Sequence, residues 1–118
     1  MSLGTPLAKI PQTGFVEAIL WRLGRRQLVV VQGDSMEPYI SAGDELLVAP
    51  ARKPSVKTIV LAHHPTKPNV LLIKLVERIR NGEFYLTGIN KSASSDSRDF
   101  GWLPNEKLVG RITSRVSS

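Results

Sequence analysis

The sequence contains no cysteine. That one absence removes a disulfide scaffold, a thiolate metal site and a cysteine nucleophile, and it leaves the redox compartment open. Histidine is scarce too: the only two, His63 and His64, are adjacent. Neighbours in a strand point to opposite faces, so the pair cannot serve one site, and each is expected to be exposed or satisfied locally. With no further ligands at metal spacing, no metal centre is expected. No apolar run approaches the ~20 residues needed to cross a bilayer. Met1 to Gln12 also lacks the charged start and long apolar stretch of a secretory leader. The expected location is therefore cytoplasmic, or loosely peripheral to a membrane face. Internal repeats and low-complexity tracts are missing as well.

What is present is enough for one domain: 118 residues build a single core and not two. Lysine and arginine outnumber the acids, for a net charge of +6. Nucleic-acid binding needs such charge gathered on one face beside a reading element. Arg22, Arg25 and Arg26 cluster near the start, but Lys57, Lys67, Lys74, Lys91 and Arg111 are scattered. A soluble basic surface is expected, with no nucleic-acid partner.

Residues 1–12, with Gly4, Pro6 and Pro11, read as a loose arm, and residues 13–118 as the single domain. From Thr13 to Gly24, Phe15, Val16, Ile19, Leu20 and Leu23 recur at helical spacing, with Thr13 as candidate cap and Gly24 as candidate stop. This predicts a short amphipathic helix. It either lies on the domain's own core or, given Trp21 and the arginines, touches a lipid interface or partner through residues 13–26. Beyond it the texture is β. Runs over 27–32, 45–49, 58–62, 70–79, 83–87 and 108–113 are apolar or alternating, and Gly, Pro, Asn and Asp punctuate them. Asn81-Gly82 between two runs is a strong hairpin signal. The predicted fold class is mainly β: a compact, mostly antiparallel β-domain with one N-terminal helix.

Two features do not belong to a plain β-domain. Gly33-Asp34-Ser35-Met36-Glu37-Pro38 follows the valine-rich strand directly. Gly33 permits a sharp bend that puts the Ser35 hydroxyl outward, with backbone N–H groups near it for an oxyanion. Alone, the fragment is also an ordinary turn. The second feature is Lys74. Strand periodicity places it on one face with Val70, Leu72 and Val76, where burial lowers an amine's pKa. Alone, it is also an edge-strand lysine that blocks aggregation or reaches out to water. The pair describes a serine–lysine dyad, in which a neutral amine accepts the proton of a serine hydroxyl. The polar stretch from Gly88 to Gly101 adds short hydrogen-bonding side chains, with Asp96 and Arg98 spaced to pair and brace it.

These three blocks resemble those of the type I signal peptidase family: residues 33–38 its nucleophile box, Ile73-Lys74-Leu75-Val76 its lysine box, and Asn90 with Ser94, Asp96, Ser97, Arg98 and Gly101 its last box. The resemblance runs in order from about Val29 to Val116. It implies a catalytic domain of the signal peptidase and SOS-repressor protease type over 13–118, with Ser35 as nucleophile and Lys74 as general base. Ser94 would then hydrogen-bond the lysine, and the Asp96–Arg98 pair would support the loop. Substrate would lie extended between the strand entering Gly33 and the strand carrying Lys74, touching Gln32, Gly33, Met36 and Leu72. No metal or other cofactor is implied. The sequence departs from the family in having Ile89 where an acid is usual, and in lacking an anchor and the long insertions. With Ala62-His63-His64-Pro65 ahead of the lysine box, it is most similar to the nickel-type superoxide dismutase maturation proteases. That subfamily trims the leader of a dismutase precursor, the expected protein partner here. A signal peptidase acting on secreted precursors is one alternative, and a non-catalytic basic binding module another. A self-cleaving repressor of the SOS-response type shares the dyad and fold but is expected to carry a DNA-binding domain and a scissile Ala-Gly bond ahead of its serine. The residues before Ser35 hold one helix and no such pair.

Overall fold

Helix α1 (Phe15–Arg22) leads into β1 (Gln27–Val30), β2 (Glu45–Ala49), β3 (Ile59–His63), β4 (Leu71–Arg80) and β5 (Glu83–Thr87), then α2 (Ser97–Phe100), β6 (Leu103–Pro104) and β7 (Leu108–Arg115). This computed structural model describes residues 10–50, 53–90 and 95–116. The mainly antiparallel β-domain predicted from the alternating runs is what forms. The Asn81-Gly82 hairpin shows the local logic. Both residues take positive φ, 39° and 77°, as a two-residue turn matched to strand twist requires, and Arg80 faces Glu83 across it.

The seven strands form one sheet in the order β1-β2-β7-β3-β4-β5-β6, and every neighbouring pair is antiparallel. Register shifts at Leu47/Val48, Leu61/Ala62 and Val76/Arg78 bend the strands locally. The sheet curls, and β3 shows the consequence because it is buried on both faces. Ile59 and Leu61 pack with Val31, Met36, Ile40, Leu46, Val48 and Ile112. Val60 and Ala62 belong to a second cluster with Val76, Phe84, Leu86 and Leu103. The curl brings the end of β1 towards β4, although β2, β7 and β3 lie between them in sheet order.

Several local expectations change. Thr13 does not cap α1: Gly14 is the N-cap and supplies no side chain, while the Thr13 hydroxyl lies 3.0 Å from that of Ser114 on β7. The sheet outcompetes the cap for this residue. Ile10 to Gln12, the described part of the expected arm, run beside β7, where the Arg115 N–H donates to the Pro11 carbonyl at 2.9 Å. Ile10 packs against the first core cluster; residues 1–9 lie outside the described residues. Within the expected polar loop, α2 forms one helical turn, and β6 pairs two residues with β5. No residue of α1 is buried, so it does not lie on the core in the manner its periodicity invites. Among the described residues no helix is long and apolar enough to cross a membrane.

Candidate active site

Ser35 sits where the chain leaves β1. Val31 still exchanges backbone bonds with Gly43 and Asp44 at 2.9 Å, so the strand is held to its end. Gly33 then adopts a φ of 82°, a conformation rarely open to residues with a side chain. Met36 and Ile40 follow, almost fully buried, and pin the far side of the bend in the core. Ser35 is thus held half-buried between a strand and two anchored side chains.

Lys74 approaches from the middle of β4, opposite Val60 of β3. Leu72, Lys74 and Val76 are buried on one strand face, and Lys74 is only 3% exposed. Val70 precedes the strand and is exposed. Burial pushes the Lys74 amine below its ordinary value of 10.5. The Asp96 carboxylate opposes that shift, the Arg98 guanidinium adds to it, and Asp99 opposes it.

One cleft of about 470 Å³ holds both residues. Its walls are the segment 29–36, which includes Gln32, Gly33 and Met36, and the segment 69–74, which includes Leu72; Leu61 and Ser95 complete them. Val29, Leu61 and Asn69 were not singled out from the sequence. They reach the cleft only because the sheet curls, which no local pattern reports.

Asp96 and Arg98 stand behind this cleft on α2. Asp96 is fully buried, and its carboxylate is crowded with donors: the Arg98 N–H at 3.0 Å, the Arg98 Nε at 2.9 Å and the Gly88 N–H at 3.0 Å. It also caps α2, and Asp99 completes a capping box by accepting from the Asp96 N–H at 3.4 Å. The spacing Asp96-x-x-Asp99 was the available sequence signal for this box. Ser97 is buried and accepts the Leu86 N–H at 2.8 Å, which fastens α2 to β5. The Asn90 N–H donates to the Ser35 carbonyl at 2.8 Å, a direct tie between the polar stretch and the serine bend. Ile89 packs against the first core cluster, an apolar role for the position where the signal peptidase pattern has an acid. Ser94 lies outside the described residues.

Neither histidine lines the cleft. His63 is exposed at the end of β3. His64 is buried, and its Nδ1 accepts the N–H groups of Thr66 and Lys67, each at 3.1 Å, while Phe100 meets the ring edge-on. Burial and the Lys67 charge hold His64 below its ordinary pKa, in keeping with a neutral ring that accepts at Nδ1. Among the described residues no group of three or more His, Cys, Asp or Glu could hold a metal ion.

A search of curated proteins finds no match to this chain. A model of the Peptidase S24-like family matches residues 17–111, from α1 through the serine bend, the lysine strand and α2 into β7. With most of its length and its whole cleft inside that match, the chain belongs to the Peptidase S24-like family and is a serine peptidase by that membership.

Proposed function

We propose that the chain is an endopeptidase whose Ser35 hydroxyl is the nucleophile and whose uncharged Lys74 amine is the general base, and that it removes an N-terminal leader from a precursor protein. The observation that carries this reading is the shared cleft, in which a serine on an anchored bend and a buried lysine line one opening. Burial supplies the chemistry. An ammonium among Leu72, Val76 and Val60 is poorly solvated, so the neutral amine is favoured and can take the Ser35 proton. As it does, Oγ bonds to the scissile carbonyl carbon, and the negative charge on the carbonyl oxygen is met by the Ser35 backbone N–H. Lys74 then gives its proton to the leaving amine as the C–N bond breaks. A water surrenders a proton to Lys74 and attacks the acyl carbon; the C–Oγ bond breaks, and Lys74 returns that proton to Oγ, restoring the Ser35 hydroxyl and the neutral amine.

Ser94 is assigned to hydrogen-bond the Lys74 amine and hold it towards Ser35, and Asp96 with Arg98 to brace the wall behind. The substrate lies extended along Gln32, Gly33, Met36 and Leu72, its backbone read between the two cleft segments. A nickel-type superoxide dismutase precursor is the proposed substrate, supported by the resemblance around Ala62 to Pro65 and the lysine box. A cytoplasmic location goes with it. The chemistry asks for no cofactor. Membership of the Peptidase S24-like family gives a second reading its footing, cleavage of a bond within the chain itself.

Mass spectrometry of a nickel dismutase precursor incubated with the protein tests all of this. One cut that frees the metal-binding N-terminus is expected. It should be lost in Ser35→Ala and in Lys74→Arg, because a guanidinium does not give up its proton in a protein. A cut that persists in either variant removes the dyad. An intact precursor removes the substrate, and two fragments of the enzyme incubated alone establish self-processing.

A further inference from the structure

Helix α1 docks with its charge turned in and its apolar side turned out. Its contact with the sheet runs through Glu17, whose carboxylate accepts the hydroxyls of Thr113 and Ser114 on β7 and pairs with Arg26 Nε at 3.0 Å. At about 100° per residue, Phe15, Ile19, Leu23 and Val16 fall in one arc on the opposite side. They are exposed by 80%, 39%, 68% and 67% respectively. Such a stripe of large apolar side chains left in water calls for a partner.

The charges around the stripe define that partner. Glu17 is the only acid between Ile10 and Gln32, and it is engaged on the far side. Arg22 at the edge of the stripe and Arg25 in the turn that follows are exposed. Apolar anchors bordered by arginine, with no acid of this segment facing outward, match a headgroup layer that is negative outside and apolar beneath. A second copy of the chain is a poor occupant. Four side chains on one eight-residue helix and its C-cap, Phe15 alone presenting over about 100 Å², offer roughly half of the ~800 Å² per partner of a stable dimer. Pairing two such faces would also bring their arginines together.

We propose that this face of α1 rests on an anionic lipid surface, with Phe15, Val16, Ile19 and Leu23 entering the interface and Arg22 and Arg25 meeting the headgroups. The proposal is independent of the proteolytic reading, since none of these residues lines the cleft.

The test is sedimentation with vesicles of phosphatidylglycerol and phosphatidylcholine, beside vesicles of phosphatidylcholine alone. The same samples are read by fluorescence of a Trp21→Phe, Trp102→Phe, Phe15→Trp variant, whose sole tryptophan sits in the stripe. The protein is expected to sediment with the anionic vesicles, with a blue shift of that stripe tryptophan's emission, and to be released by salt. Phe15→Glu and Leu23→Glu should each abolish binding. Arg22→Gln and Arg25→Gln should each weaken it about fivefold. All four change exposed positions, so far-ultraviolet dichroism and precursor cleavage should match the parent. Absence of sedimentation and of a blue shift overturns the proposal. Equal binding to phosphatidylcholine alone overturns the anionic assignment. A concentration-dependent dimer that Phe15→Glu abolishes makes a second copy the occupant and overturns it too.

Discussion

Helices α1 and α2 differ in the reverse of what their lengths suggest. Eight residues in α1 bury none of their number, have no side-chain cap, and reach β7 through one carboxylate. Four residues in α2 carry a complete capping box, a serine bonded to β5 and an N-cap aspartate with no exposed surface. Satisfied buried polar groups, and not helix length, decide which is held firmly. The difference also separates two tasks. The fixed helix places a carboxylate and a guanidinium within electrostatic reach of Lys74, while the loosely held one leaves its apolar side free.

The sharpest way to break this contrast is Asp96→Ala. The Gly88 N–H would lose its buried acceptor, which costs about 1–3 kcal/mol. Losing the cap costs about 1 more, for roughly 2–4 kcal/mol in all. Denaturant midpoints at neutral pH should show the drop, and cleavage should fall with it. A midpoint unchanged from the parent would mean that α2 is not what holds this corner.

Arg98→Gln probes the same helix through its charge. Lys74 is held below 10.5 chiefly by burial, with Asp96 pulling its pKa up and Arg98 pulling it down. Removing Arg98 takes away a cation that disfavours the ammonium and uncovers the Asp96 carboxylate. Lys74 should therefore keep its proton to higher pH. In the parent, kcat/KM should rise with pH as the amine deprotonates. In Arg98→Gln that limb should move to more alkaline pH, with a severalfold loss at neutrality and recovery above it. A uniform loss at every pH would mark Arg98 as purely structural.

What the sequence made legible follows the range of the forces involved. The Asn81-Gly82 turn and most strand cores depend on near neighbours, and both were readable. So was the burial of Lys74, because Leu72 and Val76 share its strand face. The cleft was readable only as two separate halves. The curl that joins segments 29–36 and 69–74 depends on bulges and on a strand order set by distant pairings. The orientation of α1 was hidden for the same reason. Its periodicity gives an apolar side, but Thr113 and Ser114, almost a hundred residues away, offer Glu17 hydroxyls and turn that side outward.

A smaller effect is expected from Glu17→Ala. Burial alone would raise this carboxyl. The hydrogen bonds from Thr113 and Ser114 and the charge of Arg26 outweigh it, so the group sits below its ordinary 4.5. A carboxyl lowered by folding stabilises the fold fully above 4.5 and loses that contribution as pH falls through the lowered value. The substitution should cost about 1 kcal/mol at neutral pH, a modest figure because solvent screens part of the site. The cost should vanish in acid, where the parent has lost it too. Cleavage should be unaffected. A cost that persists in strong acid would show that packing, and not the carboxylate, fastens α1.

The smallest effect on stability is expected where the side chain is largest. Phe15 is 80% exposed, so Phe15→Ser removes almost no buried area and should change stability by less than about 0.5 kcal/mol. Serine is a slightly poorer helix former, but Phe15 opens the helix, where that preference counts least. Cleavage should match the parent, whereas sedimentation with anionic vesicles should fall sharply, because the phenylalanine is the most exposed apolar group of the stripe. This split, unchanged stability with lost vesicle binding, is what distinguishes a surface kept for a partner from one that packs within the chain. A stability loss above about 1 kcal/mol would place Phe15 in contact with the rest of the protein in solution. The contrast between the two helices would then close, and the lipid proposal would lose the free face on which it stands.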